Sequence, residues 1–312
     1  MSAQRPFRFA VQEHHIGTAA EWRERARAYE SMGYEAMYLP DHFDRQPGPI
    51  AALMAAADAT TRLRVGSLVF DNDYRHPVVL AKEAATIDVL SDGRLDLGLG
   101  AGWLAKDYER SGLSFDAAGT RIDRLAEAIQ VIKGLFAGGK FSFTGKHYAI
   151  TELEGWPQPV QRPHPPFLLG GGGKKMLTLA GREADIVHLN FNTAEGRTNP
   201  TLIRTGMAQA TDEKVSWIKE AAGSRFEQIG LGLTIFRASV TEDRDTVASA
   251  FAPMVEMEPA DILEMPHFLI GTVEQIVESL EERRRRFGVS HIVLPDDAAD
   301  DLAPIVERLA GK

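Results

Sequence analysis

The first group in this chain placed to do chemistry is a histidine at the end of an apolar run. "YLPDHF", residues 38–43, sets Asp41 and His42 at the close of the strand-like stretch 35–42. An imidazole exchanges a proton near neutral pH, and a carboxylate beside it can orient the ring or contact a ligand. Neighbours on an extended strand point to opposite sides, however, so adjacency alone does not make Asp41 and His42 a couple. Glu13 and His14 close the run 7–14 in the same way and are weaker candidates, since surface exposure explains them equally. Arg75 in "YRHP" (74–77) can sit beside an anion, although Pro77 also suits the first turn of a following helix.

A different chemistry is written in "FLLGGGGKKMLTLA", residues 167–180. Bare backbone at Gly170, Gly171, Gly172 and Gly173 lets N–H groups approach a phosphate, and a helix beginning there turns its positive end to the same point. Lys174 or Lys175 can add charge. The same run also serves as a flexible helix entrance, and its residues alone leave both readings open. It is not a dinucleotide fingerprint, because no G-x-G-x-x-G followed by a ribose-binding acid stands here. In "LDLGLGAGW" (95–103), Leu95, Leu97 and Leu99 alternate with Asp96, Gly98 and Gly100, so one strand face carries almost no bulk. Relief of crowding explains those glycines better than a flat ligand does. His188 reads as a hydrogen-bonded core residue, Trp103 as a packing residue, and "EERRRRF" (281–287) as a solvated helix face.

These positions need a scaffold, and the hydrophobic pattern supplies one. Short apolar runs at 7–14, 35–42, 64–70, 94–100, 166–171, 185–191, 229–240 and 291–295 alternate with amphipathic stretches. Thr18 with Glu21, and Thr272 with Gln275, have capping-box spacing. Ile122, Leu125, Ile129, Ile132 and Phe136 form a helical stripe suited to packing on a sheet. Eight strands interleaved with helices in 312 residues predict an α/β fold, a (β/α)8 TIM barrel spanning 1–312 as a single domain. The stretch 138–166, rich in Pro and Gly, reads as an insertion between strands four and five. In such a barrel chemistry belongs at the carboxyl ends of the strands, where "PDHF", "GAGW" and the glycine run all fall.

Composition narrows the partners. Lys and Arg total 35 against 44 Asp and Glu, a formal charge of −9, which disfavours nucleic acid and anionic membranes. No apolar run approaches the roughly 20 residues of a bilayer span, and the first residues lack a signal-peptide core, so a cytoplasmic protein is expected. With no Cys there are no disulfides, thiolate metal sites or cysteine nucleophiles. No metal-ligand spacing, P-loop or nucleophile elbow stands out. Any chemistry must come from other side chains or from a cofactor.

Taken together, "YLPDHF", "VGSLVFDNDYRHP", "SDGRLDLGLGAGW", "FLLGGGGKKMLTLAGREADIV" and "FLIGTVEQIVESL" occur in an order that resembles the bacterial luciferase-like oxidoreductase superfamily, over nearly the whole chain. The resemblance is to its single-chain branch that uses the deazaflavin coenzyme F420. It implies a homodimer of barrels, each holding a tricyclic ring at its carboxyl-terminal mouth and the cofactor phosphate at Gly170–Gly173. It also implies a non-proline cis peptide and bulge near Leu68–Val69 under the ring, and ligand contacts from Ala101 and Gly102. Asp41 and His42 match an acid and a histidine that lies beside the reacting carbon, with Asp41 assisting orientation and Glu13 in reserve. One departure stands out: sugar-phosphate dehydrogenases of the family have an acid where Trp103 follows the "GAG" loop, so that substrate class is not carried over. The expected activity is hydride transfer between F420 and a small organic substrate. An FMN-dependent monooxygenase on the same barrel is the alternative, and a flavin- or deazaflavin-binding protein without turnover is a third reading.

Overall fold

The computed structural model describes residues 5–312; residues 1–4 of the expected 1–312 span lie outside the described residues. The strands in chain order are β1 Arg8–Gln12, β2 Ala36–Leu39, β3 Arg64–Ser67, β4 Phe70–Asp71, β5 Leu95–Gly100, β6 Lys140–Thr144, β7 Ala149–Glu154, β8 Phe167–Gly171, β9 Ile186–Leu189, β10 Gly230–Thr234, β11 Arg237–Val240, β12 Phe268–Gly271 and β13 Val289–Pro295. The main sheet runs β3-β2-β1-β13-β10-β9-β8-β5-β4, and β3 pairs with β5 as well. β3 and β4 are thus two pieces of one strand, interrupted at Leu68–Val69, and the sheet closes into an eight-strand parallel barrel. Closure leaves no edge, as the periodicity predicts.

Alternation decides which side chains enter the barrel. Ala10, Ala36, Tyr38, Leu168, Ile186 and Val293 form a small inner core with Leu68 and Val69 against it. Phe9, Val11, Met37, Leu39, Leu97 and Leu99 point the other way, into a larger core shared with the surrounding helices. The glycines of β5 relieve crowding: a Cβ on Gly98 would collide with the Ser67 carbonyl. Helices begin where their caps predict, with complete capping boxes at Thr18–Glu21 and Thr272–Gln275. The helix Ala118–Phe136 buries Leu125, Ile129, Ile132 and Phe136 of the predicted stripe. Between the fourth and fifth barrel strands, β6 and β7 form an antiparallel hairpin whose turn amides, Lys146, His147 and Tyr148, all donate to the Glu127 carboxylate.

Two expectations about strands are corrected. The run 229–240 is not one strand: after β10 the chain leaves the barrel, because the Phe236 N–H turns to the His267 carbonyl while that of Ile235 still serves Val293. β11 then pairs in parallel with β12, which the sequence reading did not count as a strand. Helices Arg244–Val255 and Pro259–Glu264 pack beside this pair on a second apolar cluster that includes Phe191, Ala252, Ile262 and Phe268. Among the described residues no helix is long and apolar enough to cross a membrane.

Candidate functional site

A cavity of about 710 Å³ opens at the carboxyl ends of the barrel strands, within the roughly 300–1,000 Å³ usual for cofactor and small-molecule pockets. Its walls bring together Asp41, His42, Leu68, Val69, Ala101, Gly102, all four glycines Gly170–Gly173 and Lys174. Two named candidates stand outside it. Arg75 does not line the cavity; it grips Asp41 with both guanidinium nitrogens, one of them 3.1 Å from Asp41 Oδ1. Glu13 is wholly buried and spent on Arg25 (3.0 Å), the Tyr29 hydroxyl (2.8 Å) and the His15 amide (2.8 Å). Burial, together with a hydrogen bond to Asp296, raises its carboxyl above the ordinary range.

Asp41 does not orient His42. Its carboxylate, already paired with Arg75, also accepts the Asp71 N–H at 3.0 Å and so fastens β4 to the end of β2. The partner of His42 is Asp107, on the short helix Ala105–Ser111: His42 Nδ1 lies 2.6 Å from Asp107 Oδ2. A carboxylate only accepts, so Nδ1 carries a hydrogen, and in the neutral ring Nε2 is then the acceptor. Tyr74 donates to the same Asp107 oxygen at 3.4 Å. Trp103 stands edge-on to the imidazole with ring centroids 6.0 Å apart, and lines the cavity beside it. The acid of this pair was not legible, since it lies 65 residues from the histidine.

The cavity wall holds a second unforeseen acid. Asp71 lines the cavity and its carboxyl is pushed up to about 7, chiefly by burial, with the neighbouring Asp73 charge adding to the rise. The Tyr108 hydroxyl meets both its oxygens, at 3.2 and 3.0 Å. Gly102 fits over this pair with φ +72°, where a side chain would strike Tyr108 and Asp71. Arg121, which also lines the cavity, holds the same loop, donating to the Ala101 and Gly102 carbonyls at 3.1 and 3.3 Å.

At the opposite end of the cavity the glycine run forms the last residues of β8 and the N-cap, Gly173, of the helix Lys174–Glu183. The first intrahelical bond is Leu177 N to Gly173 O at 3.0 Å, so the preceding amides have no partner within the helix. Lys175 is held by Asp123 (2.6 Å) and the Gly119 carbonyl (2.8 Å), which ties this helix start to that of Ala118–Phe136. Lys174 lies over Trp217 with Nζ 5.9 Å from the ring centroid. Between the two ends, the peptide bond Leu68–Val69 is cis, where the resemblance puts it, and Gln12 Nε2 donates to the Leu68 carbonyl at 2.8 Å. Bare amides at one end, a bulge at the centre and an imidazole at the other fit a flat ligand with an anionic tail.

Comparison with known proteins bears on the family and the fold. The family described as luciferase-like monooxygenase matches residues 5–255. An F420-dependent glucose-6-phosphate dehydrogenase from Microbacterium testaceum is 30% identical over 195 residues, covering 60% of this chain and 56% of that protein. An FMNH(2)-dependent dimethylsulfone monooxygenase from Pseudomonas putida is 27% identical over 241 residues, covering 75% and 61%. The chain therefore matches less than two thirds of the length of either curated relative. Among solved structures, the coenzyme F420-dependent tetrahydromethanopterin reductase from Methanopyrus kandleri superposes with a TM-score of 0.78 at 19% identity over 99% of both chains, a likeness of fold.

Proposed function

The chain belongs to the luciferase-like monooxygenase family, and from that premise we propose that it moves a hydride between F420 and a small organic substrate. The observation that carries this reading is the His42–Asp107 pair facing the same cavity as the Gly170–Gly173 helix start. Bound F420 would supply C5 as the hydride donor or acceptor. The residues of the chain bind, orient and handle protons. Amides of Gly170–Gly173 and Lys174 hold the anionic tail, the Leu68–Val69 bulge backs the ring, and Ala101 and Gly102 wall its side.

With Nδ1–H committed to Asp107, His42 Nε2 takes a proton from a substrate hydroxyl as hydride leaves, or returns one in the reverse direction. Asp41 and Arg75 act on the frame, by pinning β4 to β2. Trp103, with Phe191, Phe236, Phe251 and Phe268 in the cavity wall, favours an uncharged, largely apolar substrate over a sugar phosphate. A second reading rests on the same helix start: backbone amides recognise any terminal phosphate, so FMN fits there too, and a monooxygenase would follow. We also infer a homodimer, from exposed Leu90 at the end of helix Pro77–Leu90 and exposed Val160, whose amide bonds Asp88 of that helix; light scattering on the purified protein tests it.

The deciding experiment is paired. Equilibrium binding is measured with F420 and with FMN, followed by hydride transfer under anaerobic conditions and by oxygen uptake with reduced FMN. Anaerobic turnover with F420 over a panel of alcohols and carbonyl compounds is the expected result. Oxygen-dependent turnover confined to FMN would replace it with the second reading, and tight binding of a cofactor without turnover over the panel would favour a binding protein.

A further inference from the structure

A chain of hydrogen bonds crosses the barrel interior to the floor of the cavity, and its direction follows link by link. At the far end Asp96 is fully buried. Its Oδ1 receives Arg64 Nε at 2.8 Å and Nη2 at 2.6 Å, and Arg8 Nη2 stands 3.7 Å from Oδ2. A carboxylate facing two guanidinium groups accepts and does not donate. Tyr38 has one hydroxyl hydrogen, and it goes to Asp96 Oδ2 at 2.7 Å in a charge-assisted bond. Burial, then the Asp96 charge, holds the Tyr38 hydroxyl well above its ordinary pKa, so the hydrogen stays.

The Tyr38 oxygen can therefore only accept from His291 Nε2, 3.3 Å away, and that nitrogen carries a hydrogen. Burial keeps His291 neutral, so its Nδ1 is a bare lone pair. His188 Nε2, 3.1 Å from that lone pair, must in turn be N–H. Burial pushes His188 down to about 3, so at neutral pH its Nδ1 is a lone pair too. Thr234 Oγ1 lies 3.4 Å from it, at the limit of hydrogen-bond reach, and a hydroxyl can either donate or accept. Both His188 and Thr234 line the cavity. A barrel interior is ordinarily filled by branched aliphatic side chains, so this polar column has a purpose other than packing.

We propose that Asp96, by fixing one direction for the whole column, presents the His188 Nδ1 lone pair at the cavity floor to a ligand N–H or O–H donor, with the two-way Thr234 hydroxyl beside it. The identity of the donor rests on the cofactor reading above: F420 and FMN share a pyrimidine-type ring whose imide N–H is such a donor. Asp96, Tyr38 and His291 are positioning residues, acting through His188.

The test reads tautomers directly. In full-length protein with ring-15N histidine and no ligand, long-range 1H–15N spectra from pH 5 to 8 should show pyrrole-type Nε2 and pyridine-type Nδ1 for both His188 and His291, without titration. Single His188→Gln and His291→Gln variants assign the signals. Tyr38→Phe removes the acceptor for His291 Nε2–H and should mix the tautomers of both histidines while the thermal melt and backbone spectrum stay native. FMN should move the His188 Nδ1 resonance, whereas N3-methylated FMN should not and should bind roughly tenfold more weakly.

Nδ1–H on His188, titration of either ring in that range, or FMN or F420 bound in the cavity with His188 unmoved would each overturn the proposal. Failure of both cofactors to bind would sink the cofactor reading instead, and the tautomers of the free protein would still decide this one.

Discussion

The two ends of the cavity are made of different materials. At the β8 end a glycine run and a helix start present backbone amides, fixed in direction and indifferent to pH, beside the Lys174 and Asn192 side chains. At the β2–β5 end the polar surface is side chains: His42 from the end of β2, Asp107 from the helix after β5, and Asp71 from β4. Backbone dipoles suit a group that is only to be held, because they cannot lose or gain a proton. The paired imidazole and the raised carboxyl suit a place where protons move. On the proposed reading, binding and reaction fall to separate regions, and each should be open to damage without the other.

The sharpest way to break this division is His42→Ala. It should lower single-turnover hydride transfer by roughly 100- to 10,000-fold, the span of general acid–base catalysis, with the cofactor dissociation constant little changed; stopped-flow absorbance of F420 and equilibrium titration read the two. An unchanged rate would remove His42 from the chemistry. Asp107→Asn should cost roughly 10- to 100-fold in rate and shift the pH profile, as the loss of a hydrogen-bonded orienting partner does elsewhere.

Gly173→Asp tests the other end. Gly173 has φ −95° and ψ 148°, which any residue adopts, and a capping carboxylate should satisfy the helix amides while repelling a phosphate. Cofactor binding should weaken by about tenfold or more with the melting temperature held or raised; weakened binding together with a lowered melt would mean damage to the fold instead.

The last test reads stability in place of rate or binding, at Asp71. Its carboxyl titrates near 7 when folded and near 3.8 when unfolded, so the folded form binds the extra proton between those values. Stability should therefore fall as pH rises from about 4 to 7, by up to about 1.4 kcal/mol per unit. Asp71→Asn should flatten that slope in melts taken across the range.

The same contrast in materials sets what could be read from the sequence. Gly170–Gly173 announce themselves because a backbone site is local: four glycines between an apolar run and a helical stripe are all in view together. The barrel was legible for the same reason, since period and caps act over a few residues. His42 was visible at its strand end, but its partner was not, because Asp107 sits in "AKDYERS", a stretch that looks like a solvated helix. The nearer acid, Asp41, and the nearer cation, Arg75, proved to be partners of each other. Asp71 gave no signal, since its raised pKa comes from burial that only the packed barrel creates. β12 escaped notice because four apolar residues before a cap are too few to show a period.

Lys175 carries one further consequence. Its clasp on Asp123 and Gly119 bridges the starts of two neighbouring helices, and both charges are half open to solvent, with exposures of 51% and 57%. Dissolved ions reach such a bridge easily, and at physiological ionic strength they screen over about 8 Å. Two helix starts that line the cavity are therefore joined by an electrolyte-sensitive latch, so the speed of ligand entry should change with added salt more steeply in the native protein than in Lys175→Met.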